Sequence, residues 1–176
     1  GKGALDVTVK GPLNGPAIKA LGKLHGLRVA TVAIDELDID ADVPDVSKPL
    51  DTDIKLHAKH ARVGDRQFDE VVFDFYTHGR AFDLDISTKG LGDVTLHLIG
   101  KLDADNQGAT LDTARLEATN ARWALEAPTH LSWRDGVVVD ELSLVDGDQR
   151  LTAHATWTKK KVDAALDARN LNLARL

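Results

Sequence analysis

The chain has 176 residues, with no cysteine, no methionine and a formal net charge of −6. That length suffices for one domain with a sizeable core, and the acidic balance excludes a surface built to neutralise phosphates, so no nucleic-acid partner is expected. The missing cysteines exclude disulfides, thiolate zinc sites and a cysteine nucleophile. No stretch approaches the roughly 20 apolar residues that span a bilayer, and no signal peptide opens the chain at Gly1-Lys2-Gly3. Both ends fall in or beside patterned segments, so residues 1–176 are expected to be a single all-β domain cut from a longer, repetitive protein.

In chain order, period-two alternation recurs from segment to segment. Ala4 to Lys10 alternates and stops at Gly11-Pro12, and Gly15-Pro16 marks the next turn. An extended stretch follows through Ile18, Ala20, Gly22 and Leu24, then Leu27 and Val29. The apolar parity switches at Val32 and Ile34 and returns at Leu37, Ile39, Ala41 and Val43. Those switches predict bulges or a kink in one long strand, with a bend near Ala30. Pro44 to Pro49 reads as a loop.

Ile54, Leu56 and Ala58 lead to a turn near Gly64-Asp65, a strand around Phe68 to Tyr76 and a turn at His78-Gly79. The strands of Phe82 and Val94 are split by Gly90 to Gly92, and Asp105 to Gly108 is a turn. Thr113 to Glu126 also admits a helical reading through Ala114, Leu116 and Ala118. Ala127-Pro128 is a break, and Leu131 and Trp133 reach a turn at Arg134-Asp135-Gly136. Another parity switch near Asp140 precedes Leu142 and Leu144. The strand of Leu151 to Trp157 and the one of Val162 to Ala168 flank Lys159-Lys160-Lys161, read as a hairpin turn. All five prolines fall in breaks, as strands require.

Catalytic motifs are not found: no phosphate-binding glycine loop, no G-x-S-x-G and no H-E-x-x-H. No enzyme activity, metal or cofactor is expected. Asp38-x-Asp40-x-Asp42 opens like a calcium loop, but Val43 and Pro49 stand where Gly and Glu are needed. The three aspartates alternate with Leu37, Ile39 and Ala41 and read as the wet face of a strand. Trp123, Trp133 and Trp157 read as core fillers rather than cavity lining.

The order of these features resembles the TamB branch of the AsmA-like family. Leu5-Asp6-Val7-Thr8-Val9-Lys10-Gly11-Pro12-Leu13 with Gly15-Pro16 is similar to its strand ending in G-P-L-x-x-P, with Gly15 intervening. Gly26-Leu27-Arg28-Val29, Leu37-Asp38-Ile39-Asp40 and His78-Gly79-Arg80-Ala81-Phe82-Asp83-Leu84 resemble its following repeats. Ala121-Arg122-Trp123-Ala124-Leu125-Glu126-Ala127-Pro128, Val137-Val138-Val139, Leu142-Ser143-Leu144, Leu151 to Trp157 and Leu171-Asn172-Leu173 extend the likeness over nearly the whole chain. No cysteine stands near Leu142 to Leu144, where many relatives carry one.

The resemblance implies an elongated, curled antiparallel or mixed sheet forming an open hydrophobic trough, the β-taco. The implied lining is Leu5, Val7, Val9, Ile54, Leu56, Phe73, Phe75, Phe82, Leu84, Ile86, Val94, Leu96, Leu98, Leu131, Trp133, Leu151, Trp157 and Leu166. It also implies a periplasmic location, a parent protein anchored in the inner membrane of a Gram-negative bacterium, and a BamA-family barrel partner in the outer membrane. The implied cargo is phospholipid acyl chains, or outer-membrane protein strands during assembly. A closed β-sandwich acting as an interaction module buries one face equally well and stays open as the alternative.

Overall fold

A computed structural model describes all residues except Pro49, Leu91, 159–161 and 172–176. The Lys159-Lys160-Lys161 turn and the Asn172-Leu173 end of the family-like pattern therefore lie outside the described residues. The described chain is all-β and contains thirteen strands. They are β1 (Lys2–Lys10), β2 (Ala17–Val29), β3 (Val32–Val43), β4 (Asp53–Val63), β5 (Arg66–His78), β6 (Ala81–Lys89) and β7 (Val94–Leu102). After them come β8 (Gly108–Ala118), β9 (Ala121–Leu125), β10 (Thr129–Ser132), β11 (Gly136–Asp146), β12 (Gln149–Thr158) and β13 (Val162–Arg169). The helical reading of Thr113 to Glu126 gives way to β8 and β9, where Leu116 pairs with Trp123 across a hairpin.

The chain divides into two compact units, Gly1–Gly79 with Asp83–Thr95, and Arg80–Phe82 with Leu96–Leu176. In the first, β1 to β6 follow one another in sequence order, and the ladders from β1 to β5 are antiparallel. Tight turns set the register: Val29 pairs with Val32 around Ala30-Thr31, and Val63 with Arg66 around Gly64-Asp65. Gly64 takes φ of 59°, a conformation glycine adopts without penalty. Residues 17–43 are therefore not one kinked strand, as the parity switches predicted. The switch between Val29 and Val32 is a hairpin, because a two-residue turn puts both residues on the same face.

The remaining switches coincide along one transverse line. The pairs Gly26/Asp35, Asp35/His60 and His60/Asp69 are each skipped in ladders that keep constant register on both sides. Gly26 and His60 have φ of 64° and 49° there. Apolar parity flips across that line in all four strands: Leu24 to Leu27, Ile34 to Leu37, Ala58 to Ala61 and Phe68 to Val71. One irregular residue per strand compensates the flip, so the apolar ladder continues beyond it.

In the second unit, β9 and β10 share one position between β8 and β11, interrupted at Glu126 to Pro128. The expected irregularity near Asp140 is a register shift between Val139 and Leu142 of β11. Among the described strands, the closest backbone approaches are those between ladder neighbours. Among the described residues no large side chain is fully buried, and the best-covered apolar residues are Ala58 and Ala61 in one unit and Ala109, Leu111, Ala114, Ala121 and Trp123 in the other. The chain exposes 11530 Å². Even two separate compact domains of half its mass would expose only about 10,000 Å² together.

Candidate functional site

Residues paired across an antiparallel ladder point to the same side, so register decides which apolar side chains share a face. In the first unit the row Leu5–Gly22–Ile39–Leu56–Phe73 crosses five strands. Beside it run Val7–Ala20–Ala41–Ile54–Phe75 and Gly3–Leu24–Leu37–Ala58–Val71. Beyond the line of skipped pairs, Leu27–Ile34–Ala61–Phe68 continues the series. The expected lining residues Leu5, Val7, Val9, Ile54, Leu56, Phe73 and Phe75 thus stand in register on one face. Sequence reading left out their equal partners Leu24, Leu37, Ile39 and Val71, which the same parity rule would have found.

Gly22 is where this face closes on itself. A Cβ there would lie 2.6 Å from the Ala4 carbonyl oxygen and 2.8 Å from the Leu5 Cα, both backbone atoms, and 2.8 Å from Leu5 Cδ1. The absent side chain lets Leu5 lie over β2, yet Leu5, Val7 and Val9 stay 46%, 50% and 60% exposed. Contiguous exposed apolar surface of this kind marks a site for a hydrophobic partner. In β6, Leu84 and Ile86 are half-buried. So is Val94 at the start of β7.

In the second unit, Phe82, Leu96 and Leu98 are half-buried, and the Phe82 ring lies over Gly100. Leu131 pairs with Val139 of β11 and Ala109 of β8. Trp157 pairs with Val137 and Val162, Leu151 with Leu144, and Leu166 with Ala153. Of the three indoles only Trp123 is a core filler. Trp133 is 44% exposed with its Nε1–H donated to the Asn106 carbonyl at 3.0 Å, and Trp157 is 70% exposed.

The opposite face of the first unit is ionic. Lys19 meets Asp42 at 2.5 Å, Lys23 meets Asp38 at 3.2 Å and Lys59 meets Glu36 at 3.5 Å, each across a ladder. The Asp38-x-Asp40-x-Asp42 run is thus a strand's wet face, with two of its three carboxylates salt-bridged. Glu70 accepts from Lys89 Nζ and is 2.8 Å from His57 Nε2. The Lys89 ammonium, then the His57 ring, hold its carboxyl below the usual glutamate range. Solvent-exposed pairs of this sort contribute about 0.2–1 kcal/mol each, enough to keep this face wet and in register. One face therefore offers hydrocarbon contact without directional polar groups, and the other offers charge.

No helix of the described chain is long and apolar enough to cross a membrane. No curated protein and no solved structure matches the chain. The family model described as "TamB, N-terminal domain" matches residues 1–136, from the first strand to the start of β11. The family-like pattern quoted above from Val137 onward lies beyond that span. With the match covering well over half its length, the chain belongs to the TamB family.

Proposed function

We propose that this chain is a segment of a bridge-like envelope protein whose apolar face carries phospholipid acyl chains between the inner and outer membranes. Membership of the TamB family makes it an envelope protein of TamB type. The observation that carries the finer reading is the apolar row Leu5–Gly22–Ile39–Leu56–Phe73, half-buried in its inner strands and exposed at Leu5. Each methylene shielded against such a wall contributes about 0.8 kcal/mol, so a row of them holds a chain without a specific polar site. Rows that repeat from strand to strand offer equivalent positions, which suits movement along the face better than tight capture.

The same surface fits the apolar side of an outer-membrane protein strand during assembly. On this reading the chain works as one domain of a longer periplasmic protein, anchored in the inner membrane and meeting a BamA-family barrel. Neither role needs catalysis. The closed-sandwich alternative is disfavoured by the exposure of Leu5, Val7 and Val9 on the apolar face.

The test places Asp or Arg at Phe73, Leu84 or Leu96 in the full-length parent protein. Transport is expected to stop while the sheet still folds. Lipid extraction and native mass spectrometry of the wild-type chain should find bound phospholipid. Unfolded variants together with a lipid-free wild type would refute the conduit.

A further inference from the structure

A cavity of about 800 Å³ in the first unit lies on the ionic face rather than the apolar one. Two parallel rows of side chains wall it: Ala4–Lys23–Asp38–His57–Val72 and Asp6–Leu21–Asp40–Lys55–Asp74. Between them Gly22, Ile39 and Leu56 contribute the floor. Ile39 and Leu56 aim their side chains at the opposite face, so the floor they offer is backbone. The result is a slot running across five strands, about 19 Å long and about 7 Å between its walls. Despite the ionic residues around it, the lining is mostly hydrocarbon, with Leu21, 65% exposed, in one wall.

The charges at the rim do not cancel. Lys23 is matched by Asp38 at 3.2 Å, and the Lys55 ammonium reaches Asp53, outside the slot, at 3.0 Å. Asp6, Asp40 and Asp74, all in the Leu21 row, form no hydrogen bond or ion pair among the described residues. The Lys55 charge also acts on Asp40 and Asp74 beside it, but one ammonium does not offset Asp6, Asp40, Asp74 and Asp53 together, so the net charge along that wall is negative.

An extended peptide laid in this slot would cross the strands at right angles. The sheet's own backbone groups are already paired in their ladders, so the peptide's N–H and C=O groups would find no partners there. A hydrocarbon chain needs none. We propose that the slot between the Lys23 and Leu21 rows binds a single-chain amphiphile with a cationic ammonium head, its tail along the floor and its head at the Asp40 and Asp74 side of the negative wall. This site lies on the face opposite the proposed conduit and stands independently of it.

The experiment titrates the 176-residue chain with dodecyltrimethylammonium and with dodecyl maltoside, both below their micellar concentrations, followed by calorimetry and amide chemical shifts. The cationic probe is expected to bind about tenfold more tightly than the neutral one, with the preference shrinking as salt rises. Asp40→Asn combined with Asp74→Asn should erase the preference. Leu21→Asn, at an exposed position, should weaken both probes, while Val46→Asn, in the exposed loop after β3, should leave both unchanged. Equal affinity for the two probes overturns the charge assignment. Sensitivity to Val7→Asn but not to Leu21→Asn overturns the site, placing the tail on the apolar face and leaving the conduit reading intact.

Discussion

His60 of β4 faces Asp35 of β3 at a position where the ladder forms no pair, although Ile34–Ala61 and Glu36–Lys59 pair on either side. His60 has φ of 49°, where a residue with a Cβ is strained. Gly26 occupies the corresponding place in β2 at φ of 64°. The sheet thus solves the same geometric problem twice, once with the suited residue and once without it.

His60→Gly should therefore stabilise the first unit by about 0.5–1 kcal/mol, the strain relieved exceeding the added freedom of the unfolded chain. Denaturant unfolding measures it directly. Lys59→Gly, one residue away in extended strand, serves as the control and should be destabilising.

Gly22→Val should act in the opposite sense and locally. Its Cβ would meet backbone atoms of Ala4 and Leu5 at 2.6 and 2.8 Å, and backbone cannot step aside as a flexible side-chain end can. Strand β1, exposed along its whole length, is the element free to move. Faster amide exchange in residues 2–10 and a loss of about 1–3 kcal/mol are expected, with β4 and β5 protected as before.

Glu70 carries a pH dependence whose sign follows from its partners. Lys89 and His57 lower its carboxyl from the ordinary 4.5, so the folded state favours the ionised form. Stability from this group is full above that ordinary value and is lost as pH falls through the lower folded value. Melting temperature should drop on acidification below pH 4.5 in the wild type, and Glu70→Gln should flatten that part of the profile.

Much of this fold is legible in period two alone. Leu5, Val7 and Val9 alternate, and their register partners Gly22, Ala20 and Ile18 alternate with them. What alternation hides is the compensation of parity. A switch from Val29 to Val32 is a hairpin, while a switch from Ala58 to Ala61 is one left-handed residue within a continuing strand. The two read alike because each inserts the same number of residues. The slot on the ionic face was illegible for another reason: Leu21 reads as an isolated apolar residue on a wet strand. Only register places it between Asp6 and Asp40.

The three tryptophans separate burial from availability in the second unit. Trp123 is 7% exposed beside Leu116, so Trp123→Ala should cost about 3–5 kcal/mol, the usual price of emptying a covered aromatic site. Trp157 pairs with Val137 and Val162 but is 70% exposed, so Trp157→Ala should change stability by less than about 0.5 kcal/mol. Chemical denaturation of the two variants, followed by far-ultraviolet dichroism, measures the contrast. Equal losses would mean that Trp157 is covered in solution and not available to a ligand. A tryptophan that is dispensable for folding yet held in ladder register is free to contact hydrocarbon, so its fluorescence should shift to the blue when phospholipid is added.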